Sequence, residues 1–301
     1  IDQAASIDEK LVVITPAMRE GSGLVEFEKK YPERYFDVGI AEQHAITLAG
    51  GMTCGGLKPI IAIYSTFLQR AYDQLIHDIV VQDLNILLAI DRAGIVGADG
   101  ETHQGIYDIS FLRILPKIVL MTPSNELEMW IMLSTGFKHD GLAAVRYPRG
   151  YSQGQDINLD HSTIEIGKAK IVQKGNKIAY LVFGTLLNIV KKVAKKNGAT
   201  VVDMRFVKPL DEKMIIDISN THDYIFTVED NVILGGAGTA VNEVMVKYSL
   251  KNNLITIGVP DKIIPHGSQE EILSELGLDQ LGIEKTTNDH VHNMVEMTNK
   301  K

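Results

Sequence analysis

Short apolar runs alternate with helical patterns along this chain, and that alternation is what most limits the folds open to it. Residues 11–15, 59–64, 84–90, 117–121 and 142–147 read as strands. Several are continuously apolar, the pattern of strands covered on both faces. Between them the spacing predicts helices over 41–52, 67–81 and 124–135. Thr66 and Gln69 form a capping pair for the second, and Thr122 and Pro123 are cap and first-turn proline for the third. Residues 151–166 are polar and turn-rich, which places a linker there, between a domain at 1–150 and a second at 167–301. The second domain repeats the rhythm. Its strands are expected at 178–183, 200–204, 224–228 and 254–259, and its helices at 186–196, 211–219 and 240–250. The tail from Lys285 is polar and expected to fray. The fold class is therefore α/β, two consecutive domains with mainly parallel sheets.

A net charge of −8 argues against a nucleic-acid partner held by a basic surface. No apolar run approaches the roughly 18 residues of a membrane span, and the first residues do not read as a secretory signal. The one cysteine, Cys54, can form no internal disulfide, which fits a reducing cytoplasm, and it reads as a small packing residue. The chain begins at Ile1 rather than Met, as a processed start or a piece of a longer protein would.

One carboxylate stands apart. In a helix over 41–52, Ala41, Ala45, Leu48, Ala49 and Met52 share an apolar stripe, and Gln43, His44 and Thr47 fall on another face. Glu42 has Ala45, Ile46 and Ala49 at offsets of three, four and seven. A carboxylate among small apolar side chains loses hydration, which favours its neutral form. Such a group can hold or hand over a proton. The same spacing also suits a boundary glutamate whose stem packs and whose head reaches water.

In open α/β sheets, ligands sit beyond the carboxyl ends of the strands. The segments there are PAMREGSG, STFLQR, DRAGIVGADGETHQG and PRG. They bring Arg92, Asp99, His103 and Arg149 to one rim, with Tyr64, Phe67 and Arg70 nearby. Arginines at such loops suit a phosphate or carboxylate, because the guanidinium donates two parallel hydrogen bonds. Asp99 and His103 can transfer protons or bind hydroxyls. Singly, each residue has a plainer reading. Arg70 lies near Asp73 and suits a surface, Asp91 and Arg92 suit a turn with a local ion pair, and His103 suits a solvated loop.

Two glycine motifs carry less. GADG at 97–100 is no metal motif, since alanine precedes the aspartate and no Asn-Asn pair follows at the required distance. GGAG at 235–238 opens a helical pattern and suits either a phosphate cradle or a tight turn. Zinc spacing, a nucleophile elbow and a P-loop are not found in the sequence.

The segments TPAMREGSG, FDVGIAEQHAITLAGG, YSTFLQRAYDQ, AIDRAGIVGADGETHQG, AVRYPRG, VDMRFVKPLD and EDNVILGGAG closely resemble the deoxyxylulose-phosphate synthase branch of the transketolase-like thiamine-diphosphate family. The resemblance covers that family's last two domains, the pyrimidine-binding and C-terminal ones. It implies that Glu42 bonds to N1′ of the cofactor's aminopyrimidine and that Phe67 stacks on the same ring. Tyr64, Arg92 and Arg149 match residues that hold the phosphate of D-glyceraldehyde 3-phosphate. Asp99 and His103 match residues placed at the acceptor for orientation and proton transfer, and Arg70 matches a residue lining that pocket.

The implied reaction condenses pyruvate with D-glyceraldehyde 3-phosphate to a deoxyxylulose phosphate and CO2, feeding isoprenoid, thiamine and pyridoxal synthesis. The implied cofactors are thiamine diphosphate and Mg2+, whose metal ligands belong to a domain this chain does not contain, so the chain alone is expected to be inactive. A homodimer is implied as well, with no metal site in this chain and no nucleic-acid or membrane partner. Two other readings stay open: a β-type subunit of a 2-oxoacid dehydrogenase decarboxylase, which has no phosphate to bind, and a non-catalytic assembly fragment.

Overall fold

The computed structural model describes residues 1–150 and 162–298. Its twelve strands are β1 (Leu11–Thr15), β2 (Tyr35–Asp37), β3 (Lys58–Tyr64), β4 (Ile86–Asp91), β5 (Val119–Met121), β6 (Leu142–Arg146), β7 (Lys170–Gln173), β8 (Lys177–Val182), β9 (Thr200–Asp203), β10 (Phe206–Lys208), β11 (His222–Val232) and β12 (Asn253–Val259). They form two sheets, in the orders β10-β5-β6-β4-β3-β1-β2 and β12-β11-β8-β9-β7. Every pairing is parallel except β10 on β5 and β7 on β9. Strands β1, β4 and β6, apolar up to their last residues, are buried along their whole length, as strands with helices on both faces must be. The expected α/β class, with mainly parallel sheets, is what the chain adopts.

Most expected elements lie within a few residues of their places. The helix Glu42–Cys54 buries Ala45, Ile46 and Ala49, and it exposes Gln43, His44 and Thr47. Gly50 lets it approach closely, since a Cβ there would stand 3.1 Å from Ile79 Cδ1. Four expectations fail. Residues 67–81 are not one regular helix: α-turns at Ser65–Leu68 and Tyr72–Gln74 flank a 3-10 turn, and a π-helical stretch follows at Leu75–Val80. Thr66 does not cap it, because its hydroxyl donates to the Thr102 carbonyl instead. The helix Glu126–Lys138 is capped not by Thr122 but by Asn125, whose side chain accepts from the Glu128 N–H at 3.0 Å. The tail does not fray at Lys285, because a helix runs Gln280–Thr298. Buried Ile283 and Thr287 anchor it, with Thr287 Oγ1 2.7 Å from Tyr180 Oη.

Of the expected linker, residues 151–161 lie outside the described residues. The two sheets are nonetheless joined, because β10 comes from the second half of the chain and extends the first sheet. Ser124 Oγ donates to Asp203 at 2.7 Å and Arg205 pairs with Glu128 at 2.5 Å across the same seam. Among the described residues no helix is long and apolar enough to cross a membrane.

Candidate active site

The chain leaves β1 toward β2 and leaves β3 toward β4, in opposite directions along the first sheet. The switch point therefore falls at the carboxyl ends of β1 and β3, where such sheets are expected to form a ligand crevice. Residues 16–24 form one wall, the turns after Tyr64 another, and residues 92–107 lie beyond β4.

Glu42 is the first residue of its helix and is 2% exposed. Its neighbours on the helix are apolar, as its spacing indicates, but it is not left without a charged partner. Arg70 Nη1 donates to Glu42 Oε1 at 2.6 Å. The Arg70 guanidinium also lies 4.6 Å from the centre of the Phe67 ring. Arg70 is half exposed, as the surface reading expects, but its head pairs with the buried carboxylate.

From Phe67 the stack continues. Tyr64 lies nearly parallel to it, with centroids 5.8 Å apart and planes 16° from each other. The Arg92 guanidinium covers Tyr64 at 4.1 Å, and the His103 ring meets Phe67 edge-on at 5.3 Å. Thr66 Oγ1 donates to the Thr102 carbonyl at 2.9 Å, and Thr102 Oγ1 lies 3.0 Å from His103 Nδ1. These contacts bring the 99–103 tip down onto the aromatic pair.

Arg92 adopts a left-handed conformation with φ of 55°. Its Nη1 donates to Asp91 Oδ2 at 2.6 Å and to the Gly21 carbonyl at 2.8 Å. Both readings of the pair meet here, since the local ion pair exists and the guanidinium still faces the crevice. Arg92 Nε is buried without a hydrogen-bond partner, and Asp99 Oδ2 is 3.9 Å away. Arg149 Nη1 donates to Asp99 Oδ1 at 2.7 Å. The Asp99 carboxylate therefore lies between two arginines, where an anion is favoured. Burial pushes the Asp91 carboxyl up despite Arg92 beside it. Burial likewise raises the Tyr64 phenol, with Arg92 opposing.

The crevice gathers Tyr64, Phe67, Arg70, Arg92, Asp99, His103, Arg149 and Glu42 through the contacts above. One other expectation is corrected, and one open alternative is decided. Cys54 is exposed at the end of its helix rather than packed. The GGAG segment is no open phosphate cradle, because the N–H groups of Ala237 and Gly238 each donate to the buried Glu229 carboxylate at 2.8 Å. Gly21, which no motif singles out, lets Tyr64 and Arg92 approach the first wall. A Cβ there would stand 1.7 Å from Tyr64 Oη. The only signal was its place in a glycine-rich strand-end loop.

Comparison with known proteins agrees with this architecture. Residues 1–153 match the transketolase pyrimidine-binding domain, and residues 167–283 match the transketolase C-terminal domain. The chain is 56% identical to a 1-deoxy-D-xylulose-5-phosphate synthase of Vibrio campbellii over 96% of its length and 46% of the relative's. It is also 56% identical to one of Escherichia coli, over 94% of the chain and 46% of that relative. The chain thus spans about half the length of the curated relatives it matches. Among solved structures, a split-gene transketolase described as an inactive β4 tetramer superimposes with a TM-score of 0.83 at 23% identity, covering 95% of this chain and 94% of that one. A transketolase of Campylobacter jejuni superimposes with a TM-score of 0.75 at 16% identity, covering 96% of this chain and 45% of that one. The chain belongs to the transketolase family.

Proposed function

We propose that this chain supplies the pyrimidine-binding and acceptor-binding part of a thiamine-diphosphate enzyme that joins pyruvate to D-glyceraldehyde 3-phosphate, giving 1-deoxy-D-xylulose 5-phosphate and CO2. The observation that carries this reading is a buried carboxylate, an aromatic stack and two arginines held in mutual contact at one end of the first sheet. They lie in a chain 56% identical to synthases of that name.

The residues fit the aminopyrimidine end of the cofactor. Arg70 already sets a flat, nitrogen-bearing group against Phe67 with a hydrogen bond to Glu42, and an aminopyrimidine is another flat group of that kind. In this reading Glu42 would share a hydrogen with N1′ and Phe67 would present a ring face, where Arg70 lies in this structure. Thiamine diphosphate, when bound, supplies the electron sink for loss of CO2. Among the described residues no group of three or more His, Cys, Asp or Glu side chains is placed to hold a metal ion. The diphosphate and Mg2+ are assigned to a segment outside this chain.

Arg92 and Arg149 then hold the acceptor's phosphate, which displaces Asp99 from between them. Asp99 and His103, freed at the loop tip, orient the aldehyde and move a proton at its oxygen. Ile40, 82% exposed beside Glu42, together with the exposed face of Gln43, His44 and Thr47, supports a second copy packing there, as in a homodimer. A lone cysteine supports a cytoplasmic setting.

The test combines the chain with a diphosphate-binding half and follows product from the two substrates. The chain alone is expected to be inactive. In the assembled enzyme Glu42→Gln should reduce turnover by at least about a hundredfold with the fold retained; wild-type rates would refute the cofactor role. Arg149→Ala should raise KM for the phosphorylated aldehyde by about tenfold and leave KM for pyruvate within about twofold. Equal losses for both substrates would count against the phosphate role of Arg149.

A further inference from the structure

The segment EDN at 229–231 holds three consecutive buried polar residues in the second domain, and the reaction above uses none of them. Glu229 closes the N-terminus of the helix Ala237–Lys247. Asp230 and Asn231 turn the other way, into the first domain. Asp230 Oδ1 accepts from Arg146 Nη1 at 2.6 Å, and Asn231 Nδ2 donates to Ser110 Oγ at 2.9 Å. Arg146 is the last residue of β6 and is buried. Its Nε donates to Asp108 Oδ2 at 2.8 Å and its Nη2 to the Gly105 carbonyl at 3.3 Å.

These contacts converge on the base of one loop. Gly94 and Gly105 pair backbone to backbone, with N···O distances of 2.6 and 2.9 Å, and close the segment that carries Asp99 and His103. Neither glycine can be larger. A Cβ on Gly94 would stand 2.2 Å from Asp230 Oδ2, and one on Gly105 would stand 2.0 Å from the Arg92 carbonyl oxygen. The second domain holds the loop at three further points. The Val232 N–H donates to the Ile106 carbonyl at 2.9 Å, Gln269 Nε2 donates to the Ile95 carbonyl at 2.7 Å, and the Gln269 backbone nitrogen would lie 2.6 Å from a Cβ on Gly97.

A buried cation between two carboxylates is weak evidence of stabilisation, because desolvation offsets much of the attraction. What it does supply is direction. The guanidinium is a rigid fork, and here it points at once to Asp108, to Asp230 and to the closed base of the loop.

We propose that Arg146 and Asp230 are positioning residues: with Gln269 they fasten the 94–106 loop to the second domain and so fix where Asp99 and His103 meet the acceptor. This rests on the acceptor role proposed above for those two residues. Domain glue alone would weaken the whole molecule and affect both substrates alike.

The test uses Asp230→Asn, which keeps volume and removes charge, in the assembled enzyme. Gln269→Ala probes the same loop from outside the buried triad, should the first variant not fold. Amide hydrogen exchange over 95–106 should rise by about tenfold or more while exchange in β4 stays unchanged. KM for D-glyceraldehyde 3-phosphate should rise by about tenfold with KM for pyruvate within about twofold. Arg146→Lys should give the same split, since a point charge cannot replace the fork. Unchanged loop exchange in folded variants would overturn the proposal, and so would equal rises in both KM values. Faster loop exchange with both KM values unchanged would support the tether and instead refute the acceptor role of Asp99 and His103.

Discussion

Tyr64 is held from three sides: Phe67 along one ring face, the Arg92 guanidinium 4.1 Å from its centre, and the Gly21 backbone against its hydroxyl. The ring has no free end to swing, so a methyl group on Gly21 must displace the whole stack. Gly21→Ala should therefore raise KM for the phosphorylated aldehyde by roughly tenfold while melting shifts little. Steady-state kinetics beside a thermal melt checks this, and an unchanged KM would remove Tyr64 from the phosphate pocket. At this scale, the chain showed which residues meet at the rim but not how they pair. Glu42 drew notice because its helical neighbours are apolar, a property of nearby sequence. Its pairing with Arg70 spans 28 positions, and that of Asp99 with Arg149 spans 50. No periodicity encodes such distances.

Elements were legible where their pattern is their own. β1 and β3 announce themselves as apolar runs, and the helix Glu42–Cys54 by its stripe. Three-residue strands such as β2 and β10 carry no period and form only because a partner strand offers them a ladder. The segment after Tyr64 has helical spacing, yet it breaks into α, 3-10 and π turns. There Phe67, Arg70 and the wide turn over Leu75–Val80 each meet the Glu42 helix or the crevice, and a uniform pitch does not satisfy all of them. The start of Glu126–Lys138 shows the same limit, since Thr122 and Asn125 are both plausible caps until the backbone selects one. Asn125→Ala should cost about 1 kcal/mol of stability in denaturant melts. A neutral result there, with a loss at Thr122→Ala, would reverse the assignment.

For the whole molecule, buried acids set the response to pH. Burial pushes Glu229 up to about 8, against the two helix N–H donors that lower it. Burial likewise pushes Asp203 up to about 6, with Ser124 opposing. Above their ordinary values of 4.5 and 3.8 the unfolded chain has released these protons while the native chain keeps them. Stability should therefore fall as pH rises, through about 6 for Asp203 and on to about 8 for Glu229. Urea midpoints measured across that range check it: Glu229→Gln should flatten the slope, and a wild-type midpoint that climbs with pH would contradict it. β10 has a consequence of another kind. A chain stopped at Gly150 would carry β5 with a bare outer edge, a template for pairing with its own copies. The remaining part would carry three residues shaped for a sheet it had lost. The two domains are therefore not interchangeable cassettes. A gene break or fusion boundary set between them cuts through a shared ladder, whereas one set ahead of β1 leaves every strand pairing of the two sheets described above intact.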